Sequence, residues 1–491
     1  MYSARAGTGW KRIVYTIIGL LVFAAVYAVP KWRDAVDPQG RLFQLTWEGK
    51  GAIAVFFLAV LWWWFDVIPA GITGLAVGLA QAVFGIRPAR VVFADYMSPP
   101  VVFFFSTIVL GMGLIRSGLA KRAIYKTLSL LGNGTVAVYG GVFLIAALLA
   151  HLMPATAVAS AAFPTLLAVY SLYDVTDART NFGKGLFTGM AYALGAGGTI
   201  TLFGASRLVA ALGFFNEVTG RNLSFFSFSM YASAVAWITL ALLWVFITLR
   251  YRPEKDSLPR FEEKTGQLYR RLGPISPREI RAAVVVVLLL SGFAVTALLP
   301  SLASIDKSTL ALLAAVCMFL FKVLDLKDLE DTPWNTILLL GGVVALGSCL
   351  IGTGAAMWLA VKTLPLVLHL YWPVLVAALS VFFMVTANFV INMAVMALVL
   401  PVTLYWAPYA GLSAEVLFFT AIVSSAMPFS LRAGYAPNAI AFESGQFTPR
   451  EFLLTGIGAN LLLFIALCLA VWLIWPAMGM PITRCILCLL R

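Results

Sequence analysis

Two similar segments, each embedded in apolar sequence, constrain the fold of this chain more than any other feature. The first reads LGMGLIRSGLA and the second LGSCLIGTGAA. Each is followed by an apolar stretch with a proline and then by a Gly-rich segment. The matched landmarks are Gly118 and Gly354, Pro164 and Pro401, and Gly204 and Gly434, which are 236, 237 and 230 residues apart. Three landmarks at nearly one offset indicate an internal duplication.

The composition is that of a membrane protein. Hydrophobic residues make up 62% of the 491 positions and charged residues 11%, whereas soluble domains carry about 25% charged residues. The mean hydropathy is +0.95. Apolar runs of bilayer-spanning length, roughly 17–25 residues, recur along the chain. We expect an all-α polytopic membrane protein with about 11 transmembrane helices. The first run, Ile13–Val29, is longer than a usual signal peptide and is expected to be retained.

Two membrane-embedded repeats with broken, Gly-rich segments are typical of secondary transporters. We therefore expect two inverted repeats, each with a re-entrant hairpin and a broken helix. Basic residues mark the cytoplasmic side of a membrane protein, and they are more frequent after the first duplicated segment than after the second. On this basis Lys121 and Arg260 are predicted to be cytoplasmic, and Asp328 and Cys485 to lie outside. The N-terminus is predicted to be cytoplasmic, with the chain in the cell (inner) membrane.

The charge distribution suggests where the two halves are joined. The net charge is +13, and the segment Arg250–Arg281 alone holds nine basic and five acidic residues together with four prolines. Such a segment is typical of a cytoplasmic linker rather than of a nucleic-acid-binding region. The predicted units are N-terminal scaffold spans (1–95), the first repeat (96–249), the linker (250–281), scaffold spans of the second half (282–331) and the second repeat (332–491).

Three stretches resemble a known family. They are GGTITLFG (Gly197–Gly204), TPWNTILLLGGVVALGSCLIGTGAAMWLA (Thr332–Ala360) and APNAIAFESGQFTPREFLLTG (Ala436–Gly456). They resemble the divalent anion/sodium symporters (the DASS family), which include the INDY-type sodium/dicarboxylate/sulfate carriers. The resemblance implies a homodimer of scaffold and transport domains with two re-entrant hairpins. It also implies a substrate held between hairpin tips that carry S-N-T motifs, with sodium sites completed by Gly/Pro-Asn loops.

The sequence departs from this family at the polar motifs. Counted back from the matched prolines, the tips read Pro154-Ala155-Thr156 and Ile391-Asn392-Met393, so that only Thr156 and Asn392 keep the family's residues. The first G-x-P-P-N loop is replaced by Gly204-Ala205-Ser206-Arg207-Leu208, whereas the second retains Asn438 and is preceded by Arg432. The candidate substrate-binding residues are therefore Thr156, Arg207, Asn392, Arg432, Ala155, Ser206, Met393 and Asn438. A residual sodium site would use Asn392, Asn438 and Gly434.

These substitutions favour an anion carrier that depends less on sodium. Apolar tip residues remove oxygen ligands from the sodium sites, and two arginines are added nearby. A mid-bilayer cation costs about 2.5–3.5 kcal/mol on insertion scales, and a guanidinium suits a carboxylate or a sulfo or phosphate group. We expect a secondary transporter of small divalent anions (dicarboxylate, sulfate or sulfonate) with alternating access of the elevator type. Anion exchange or proton coupling is favoured over sodium coupling.

Several alternatives remain open at the level of sequence. The chain could be a sodium-coupled dicarboxylate/sulfate symporter. It could also be a membrane-embedded enzyme, although its spans show no acidic metal-binding cluster, and neither an enzymatic activity nor a cofactor is expected. Either arginine could pair with a structural acid such as Glu217 or Glu443. His151 could relay protons or be a core residue, and the Cys485/Cys488 pair is a weak metal or redox signal.

Overall fold

The computed structural model describes residues 9–30, 32–173, 179–302, 304–389, 392–426, 429–431 and 435–483, and these residues are predominantly helical. Within them, the strands are β1 (Ala35–Val36) and β2 (Leu42–Phe43), which pair antiparallel. The helices are α1 Gly9–Ala28, α2 Trp47–Trp64, α3 Ala70–Val83, α4 Ala89–Asp95, α5 Pro99–Arg116, α6 Leu119–Ser129, α7 Thr135–Ala150, α8 Ala155–Tyr170, α9 Asn181–Gly197, α10 Ser206–Thr219, α11 Phe225–Arg250, α12 Phe261–Arg271, α13 Pro277–Leu298, α14 Lys307–Leu320, α15 Leu326–Glu330, α16 Trp334–Gly352, α17 Ala355–Thr363, α18 Trp372–Phe389, α19 Asn392–Trp406, α20 Ala414–Ser425, α21 Ala436–Phe442, α22 Pro449–Leu469 and α23 Trp475–Ala477. The all-α membrane fold is confirmed.

The helices divide into long and short apolar segments. In the part of the chain that the structure describes, seven are long and apolar enough to cross a membrane, and seven further apolar helices of 10–17 residues are shorter. Some apolar helices follow each other after only a few residues, as α7 and α8 do and as α18 and α19 do. A broken pair of this kind enters the apolar layer without crossing it in one continuous helix, as expected for transporter hairpins.

Internal symmetry relates α2–α11 to α13–α22. After α3, the backbone N–H groups of Ile86 and Arg87 both donate to the carbonyl oxygen of Gln81. After α14, Val323 and Leu324 repeat this arrangement on Met318, 237 residues later in each case. The same correspondence relates two glycines with positive φ, at the α5–α6 and α16–α17 junctions: Gly118 (φ 93°) and Gly354 (φ 74°). The duplication in sequence is thus a duplication in structure.

The two repeats are interlocked. Helix α3 of the first repeat packs against α16 of the second, and α14 of the second repeat packs reciprocally against α5 of the first. At the first of these crossings a Cβ atom added to Gly342 would overlap the backbone of Gly74. Small residues let membrane helices approach closely and gain van der Waals contact. Each repeat therefore completes its packing only against the other.

Ion pairs show that the repeats are inverted. Arg116, at the end of α5, pairs with Asp328 of α15 at 2.7 Å, and α15 leads directly into α16. Helix α5 therefore ends on the face of the molecule where α16 begins. We call this the Arg122 face, because Arg122 of α6 pairs there with Glu279 at 2.6 Å. At the far end of α16, Lys362 of α17 donates to the carbonyl oxygen of Asp34 at 2.9 Å, which defines the Asp34 face.

The prediction that Asp328 lies opposite Lys121 is wrong. Lys121 follows the first duplicated helix, whereas Asp328 precedes the second, and inversion brings these two positions to the same face. The counterpart of Lys121 on the opposite face is the segment around Lys362. Cys485 and Cys488 lie outside the described residues. The chain before them is on the Asp34 face, where Thr483 bridges to Leu412 next to α20.

The segment between the repeats is folded. Helix α12 packs against α6, and Phe261 at its start is fully buried. The Arg122 guanidinium pairs with Glu279 and also donates to the carbonyl oxygens of Gly273 and Pro274, at 3.0 and 3.1 Å. The basic segment thus packs along the Arg122 face.

This topology predicts the outcome of single-cysteine labelling in a cysteine-free background. Cysteines at Lys121 and Lys327, both exposed, should react with an impermeant reagent from the same side of the membrane. A cysteine at the exposed Lys362 should react from the other side. Labelling of all three positions from one side would contradict the inverted arrangement.

Candidate functional site

The first hairpin tip, residues 151–154, joins α7 to α8 and is held by a segment 50 residues further along the chain. The Thr201 hydroxyl donates to the carbonyl oxygen of His151 at 2.7 Å. The backbone N–H of Ala155, at the start of α8, donates to the carbonyl oxygen of Gly204 at 3.1 Å. Backbone groups left free at a broken helix need such partners inside a membrane protein. The tip and the Gly-rich segment therefore form one unit.

The Gly-rich segment 198–205 separates α9 from α10 and folds tightly on itself. A Cβ atom added to Gly204 would overlap the carbonyl group of Gly198. Only glycine fits such a backbone-to-backbone approach. This closeness is what allows the Gly204 carbonyl to reach Ala155 and cap the N-terminus of α8.

The second tip, residues 390–391 between α18 and α19, lies outside the described residues, and amide side chains on either side of it bind neighbouring backbone groups. The Asn392 side-chain amide donates to the carbonyl oxygen of Ser425, at the end of α20, at 2.9 Å. The Asn388 Oδ1 accepts from the backbone N–H of Ser430 at 3.0 Å. The Ser430 hydroxyl in turn accepts from Asn460 of α22 at 3.0 Å. Polar side chains here take over the role that the Gly204 carbonyl has in the first repeat.

The broken elements of the two repeats meet in the interior. Helix α10 packs against the tip helix α19, and α21 packs against the tip helix α8. The Ser206 hydroxyl lies 3.6 Å from the Met393 sulfur. Asn438 is fully buried in α21 and donates to the carbonyl oxygen of Leu431 at 3.0 Å. The N-termini of α8, α10 and α19, which carry partial positive charge, thus belong to one region.

The structure brings most of the predicted site residues into this region. Ala155, Ser206, Arg207, Asn392, Met393 and Asn438 are joined by the contacts described here. Thr156 lies exposed at the start of α8, where its carbonyl oxygen accepts from Ser160. Arg432 and Gly434 lie outside the described residues, so their place in the site remains a prediction.

Arg207 is the buried charge of this region. Its side chain is 6% exposed, and its Nη2 donates to the carbonyl oxygen of Ala426 at the end of α20 at 3.0 Å. The Tyr435 side chain is close enough to interact with it electrostatically. Among the described residues its Nε has no hydrogen-bond partner and no carboxylate forms an ion pair with it. Glu217, one of the two alternative partners, instead accepts from Ser348 at 2.8 Å.

Oxygen atoms that could contact a cation are present but few. Asn392 is 7% exposed, and its Oδ1 has no hydrogen-bond partner among the described residues. The same holds for the hydroxyl of Ser424, which is fully buried beside Ser425. Hard cations such as sodium prefer oxygen ligands of this kind, as calcium and magnesium do.

The sequence assigned no role to several residues that hold the site. Tyr192 donates its hydroxyl to the carbonyl oxygen of Phe429 at 3.1 Å, and Asn388, Ser430 and Asn460 form the chain described for the second tip. The only signal for Asn388 and Tyr192 was a polar group within an apolar run. His151 lies 2.5 Å from the carbonyl oxygen of Ala147 through its Nδ1, a contact within its own helix.

Two inverted repeats with broken helices that meet in the interior define the class of protein, a secondary transporter. The family model for the sodium:sulfate symporter transmembrane region matches residues 11–481. The chain therefore belongs to this family of divalent anion/sodium symporters, as the sequence resemblance implied, and its members are transporters rather than enzymes.

Curated relatives match most of the chain, and two solved structures have a similar fold. The chain is 23% identical over 469 residues to the sodium-dependent dicarboxylate transporters SdcS of Staphylococcus saprophyticus, with 90% of each chain covered, and of Staphylococcus aureus, with 90% and 89% covered. It is similar in fold to the YdaH transporter of Alcanivorax borkumensis (TM-score 0.58, 13% identity, 97% and 99% covered). It is also similar in fold to MtrF of Neisseria gonorrhoeae (TM-score 0.56, 11% identity, 94% of both chains).

The tight turn at Gly204 yields a direct test. Gly204→Ala should abolish transport and lower the free energy of unfolding by roughly 1–3 kcal/mol, because the new methyl group meets backbone that cannot move aside. Gly132→Ala is the matched control, since a Cβ at Gly132 would have no atom within 4 Å. Thermal unfolding in detergent and tracer uptake in proteoliposomes measure the two effects. A Gly204→Ala variant as stable and active as the control would show that the turn tolerates a side chain.

Proposed function

We propose that this transporter carries small divalent anions and holds them with the fixed positive charge of Arg207. The observation that carries the proposal is a buried guanidinium, without a carboxylate partner among the described residues, at the start of a broken helix beside the second tip. An unpaired buried charge is costly, and charged residues inside membrane proteins are functional by default. A dianion would supply the missing partner.

The surroundings of Arg207 also favour an anionic ligand. The guanidinium lies at the N-terminus of α10, whose partial positive charge adds to its own. Its hydrogen-bond acceptor among the described residues, the Ala426 carbonyl, is neutral, so these residues leave most of its charge uncompensated. A guanidinium can donate two parallel hydrogen bonds to one carboxylate or sulfo group. Dicarboxylates, sulfate and sulfonates share that acceptor geometry.

Alternating access of the elevator type is the movement we propose. The tips, α9–α11 and α20–α22 contact one another across the repeats, and Lys184 and Glu451 join them at 2.5 Å. A second body is formed by α2, α3, α5, α14, α16 and α17. The first body rests on the second through α10, which packs against α5 and α16, and through α19, which packs against α16 and α17. Sliding along these contacts would carry the site from one face toward the other.

Substitution of Arg207 tests the proposal. Arg207→Ala should abolish uptake of labelled succinate and sulfate or raise the substrate concentration required about ten- to a hundredfold, since one charge-assisted contact is worth roughly 1.5–3 kcal/mol. Arg207→Lys should restore uptake only in part, because it keeps the charge but not the two-pronged donor. Arg221→Ala, at an exposed arginine paired with Glu415, is the matched control and should transport normally.

The stability of the variants separates a functional from a structural role. Removal of an unpaired buried charge should leave the thermal unfolding of Arg207→Ala unchanged or raise its midpoint, whereas loss of a structural arginine would lower it. Normal transport by Arg207→Ala would overturn the anion assignment. Arg432→Ala is expected to impair uptake in the same way.

Anion exchange or proton coupling follows from a charge that cannot leave the protein. A sodium ion dissociates with the substrate, but Arg207 remains. The empty carrier would have to move with an unpaired positive charge in a region of low dielectric constant. The loaded carrier moves with that charge neutralised. Return with a second anion therefore has the lower barrier.

Sodium coupling is the second candidate, and two observations favour it. The relatives named above are sodium-dependent dicarboxylate transporters, and Asn392 retains a buried oxygen without a hydrogen-bond partner among the described residues. One amide oxygen with neighbouring hydroxyl and carbonyl groups could hold a single ion. The tips nevertheless place Pro154, Ala155 and Met393 where the family has polar side chains.

Tracer uptake into proteoliposomes with choline in place of sodium decides between the two candidates. We expect labelled dicarboxylate to enter without sodium and to enter faster when unlabelled dianion is present inside. Uptake that requires sodium and ignores the internal anion would establish the symport mechanism and refute exchange.

Two further features remain proposals. The family resemblance implies a homodimer, which the mass of the detergent-solubilised protein would test. The positive-inside rule places the Arg122 face, where α1 also begins, in the cytoplasm. The labelling experiment above reads this orientation directly in intact cells.

A further inference from the structure

A second group of ionisable residues lies away from the anion site, where α10 meets α16. Arg87, just after α3, pairs with Asp95 of α4 at 2.7 Å and donates to the carbonyl oxygen of Ala345 in α16 at 3.3 Å. One turn further along α16, Ser348 donates to Glu217 of α10 at 2.8 Å. Glu217 interacts electrostatically with both Arg87 and Asp95. This group therefore links the body that carries Arg207 to the body on which it rests.

We propose that Glu217 binds the proton that is co-transported with the anion. This inference rests on the proposed function, because it assigns the coupling site of the same carrier. Glu217 would take up the proton when the site loads and release it when the site empties. The proton comes from and returns to water, so no other reactant is needed.

The hydrogen bonds at Glu217 suit a carboxyl group that changes its charge. Its donor is a neutral hydroxyl, whereas the neighbouring cation, Arg87, already pairs with Asp95. The positive charge of Arg87 and the negative charge of Asp95 act on Glu217 in opposite directions, and a neutral donor stabilises the ionised form less than a cation would. The Glu217 side chain is exposed at the edge of the group, so that protons can reach it from water.

The elements packed against α10 add few other charges. Helix α19 contributes Tyr405, which interacts electrostatically with Glu217, and α16 contributes Cys349, which is buried near Arg87 and Asp95. Helix α20 contributes Glu415, which is paired with Arg221 at 2.5 Å. The charged residue of α5, Arg116, lies at its opposite end with Asp328. Asp95 and Arg87 are thus the charges that act on Glu217.

A buried amide near Arg87 provides a second observation, an acceptor that can bind a water molecule. Gln81 of α3 is fully buried and donates to the same Ala345 carbonyl oxygen as Arg87, at 3.2 Å. Its Oε1 has no donor among the described residues. A buried acceptor beside an ion pair is a suitable partner for a water molecule that transfers protons to neighbouring groups.

The position of Glu217 explains why its protonation would control movement. It lies ten residues after Arg207 on α10, about 15 Å along the helix axis, so the two residues move together. If α10 slides along α16, Glu217 must leave Ser348 and pass apolar surface. With the dianion bound, a proton on Glu217 lowers the cost of that step, and in the empty carrier the ionised Glu217 partly offsets the charge of Arg207. The dianion also brings two negative charges, which a proton on Glu217 helps to balance.

The test is dianion accumulation in proteoliposomes under an imposed proton gradient, with the membrane potential held at zero. With labelled succinate, the wild-type chain should accumulate about tenfold more substrate for each pH unit of inward gradient, the factor for one proton per turnover. Glu217→Gln, which mimics the protonated group, should lose this dependence. Glu415→Gln, at a paired acid on the same face, should respond as the wild type does.

A second measurement does not depend on transport. The infrared difference spectrum between high and low pH contains carbonyl bands from every carboxyl group that gains a proton, and the chain has 21 Asp and Glu residues. The wild-type spectrum should contain one such band that the Glu217→Gln spectrum lacks. A proton response that survives in Glu217→Gln, or identical difference spectra of the two proteins, would overturn the inference. So would a wild-type carrier that exchanges dianions but ignores the proton gradient, and the proposed function would then stand. A chain that carries no dianion under any condition would refute the proposed function, and the infrared titration would still decide whether Glu217 binds a proton.

Discussion

The requirement that every backbone polar group within a membrane find a partner inside the protein determines this structure. Wherever a helix is broken to form the interior site, N–H and carbonyl groups lose their helical partners. In the first repeat the Gly204 carbonyl satisfies Ala155, and in the second Asn392 and Asn388 satisfy backbone groups of the neighbouring loop. The glycines and amides of the site therefore complete the backbone hydrogen bonds of the broken helices, whether or not they also contact the substrate. They leave part of the Arg207 guanidinium without a partner among the described residues.

The symmetric framework and the asymmetric site have different origins. The framework repeats closely, with matching turns after α3 and α14 and matching glycines at the ends of α5 and α16. The site does not repeat, because Ser206 and Arg207 of the first half correspond to Ala436 and Pro437 of the second, whereas Asn392 and Asn438 of the second half correspond to Ala155 and Leu208 of the first. Such a site gives the two halves separate tasks. The Arg207 side provides charge, and the Asn392 side provides neutral oxygen and nitrogen atoms.

The sequence predicted the parts that depend on local composition. The apolar runs predicted the membrane helices, and the paired landmarks predicted the duplication and the broken segments. Six of the eight proposed site residues lie in connected positions, since motif spacing carries that information. The contacts of Asn388, Ser430 and Asn460 could not be predicted, because their partners lie 42 and 30 residues away on other elements. The face on which Asp328 lies was predicted wrongly for a related reason. In an inverted repeat, a residue that follows a helix of the first half and a residue that precedes the equivalent helix of the second half lie on the same side.

The interlocked packing of the repeats has a consequence for synthesis. Helix α5 ends at Arg116, but its partner α14 begins only at Lys307, 191 residues later. At about 5–20 residues per second, the ribosome needs roughly 10–40 s to bridge that gap. During this time the glycine-lined surfaces of the first repeat face lipid or the insertion machinery rather than their native partner. The newly made half is therefore exposed to quality control until the second half arrives.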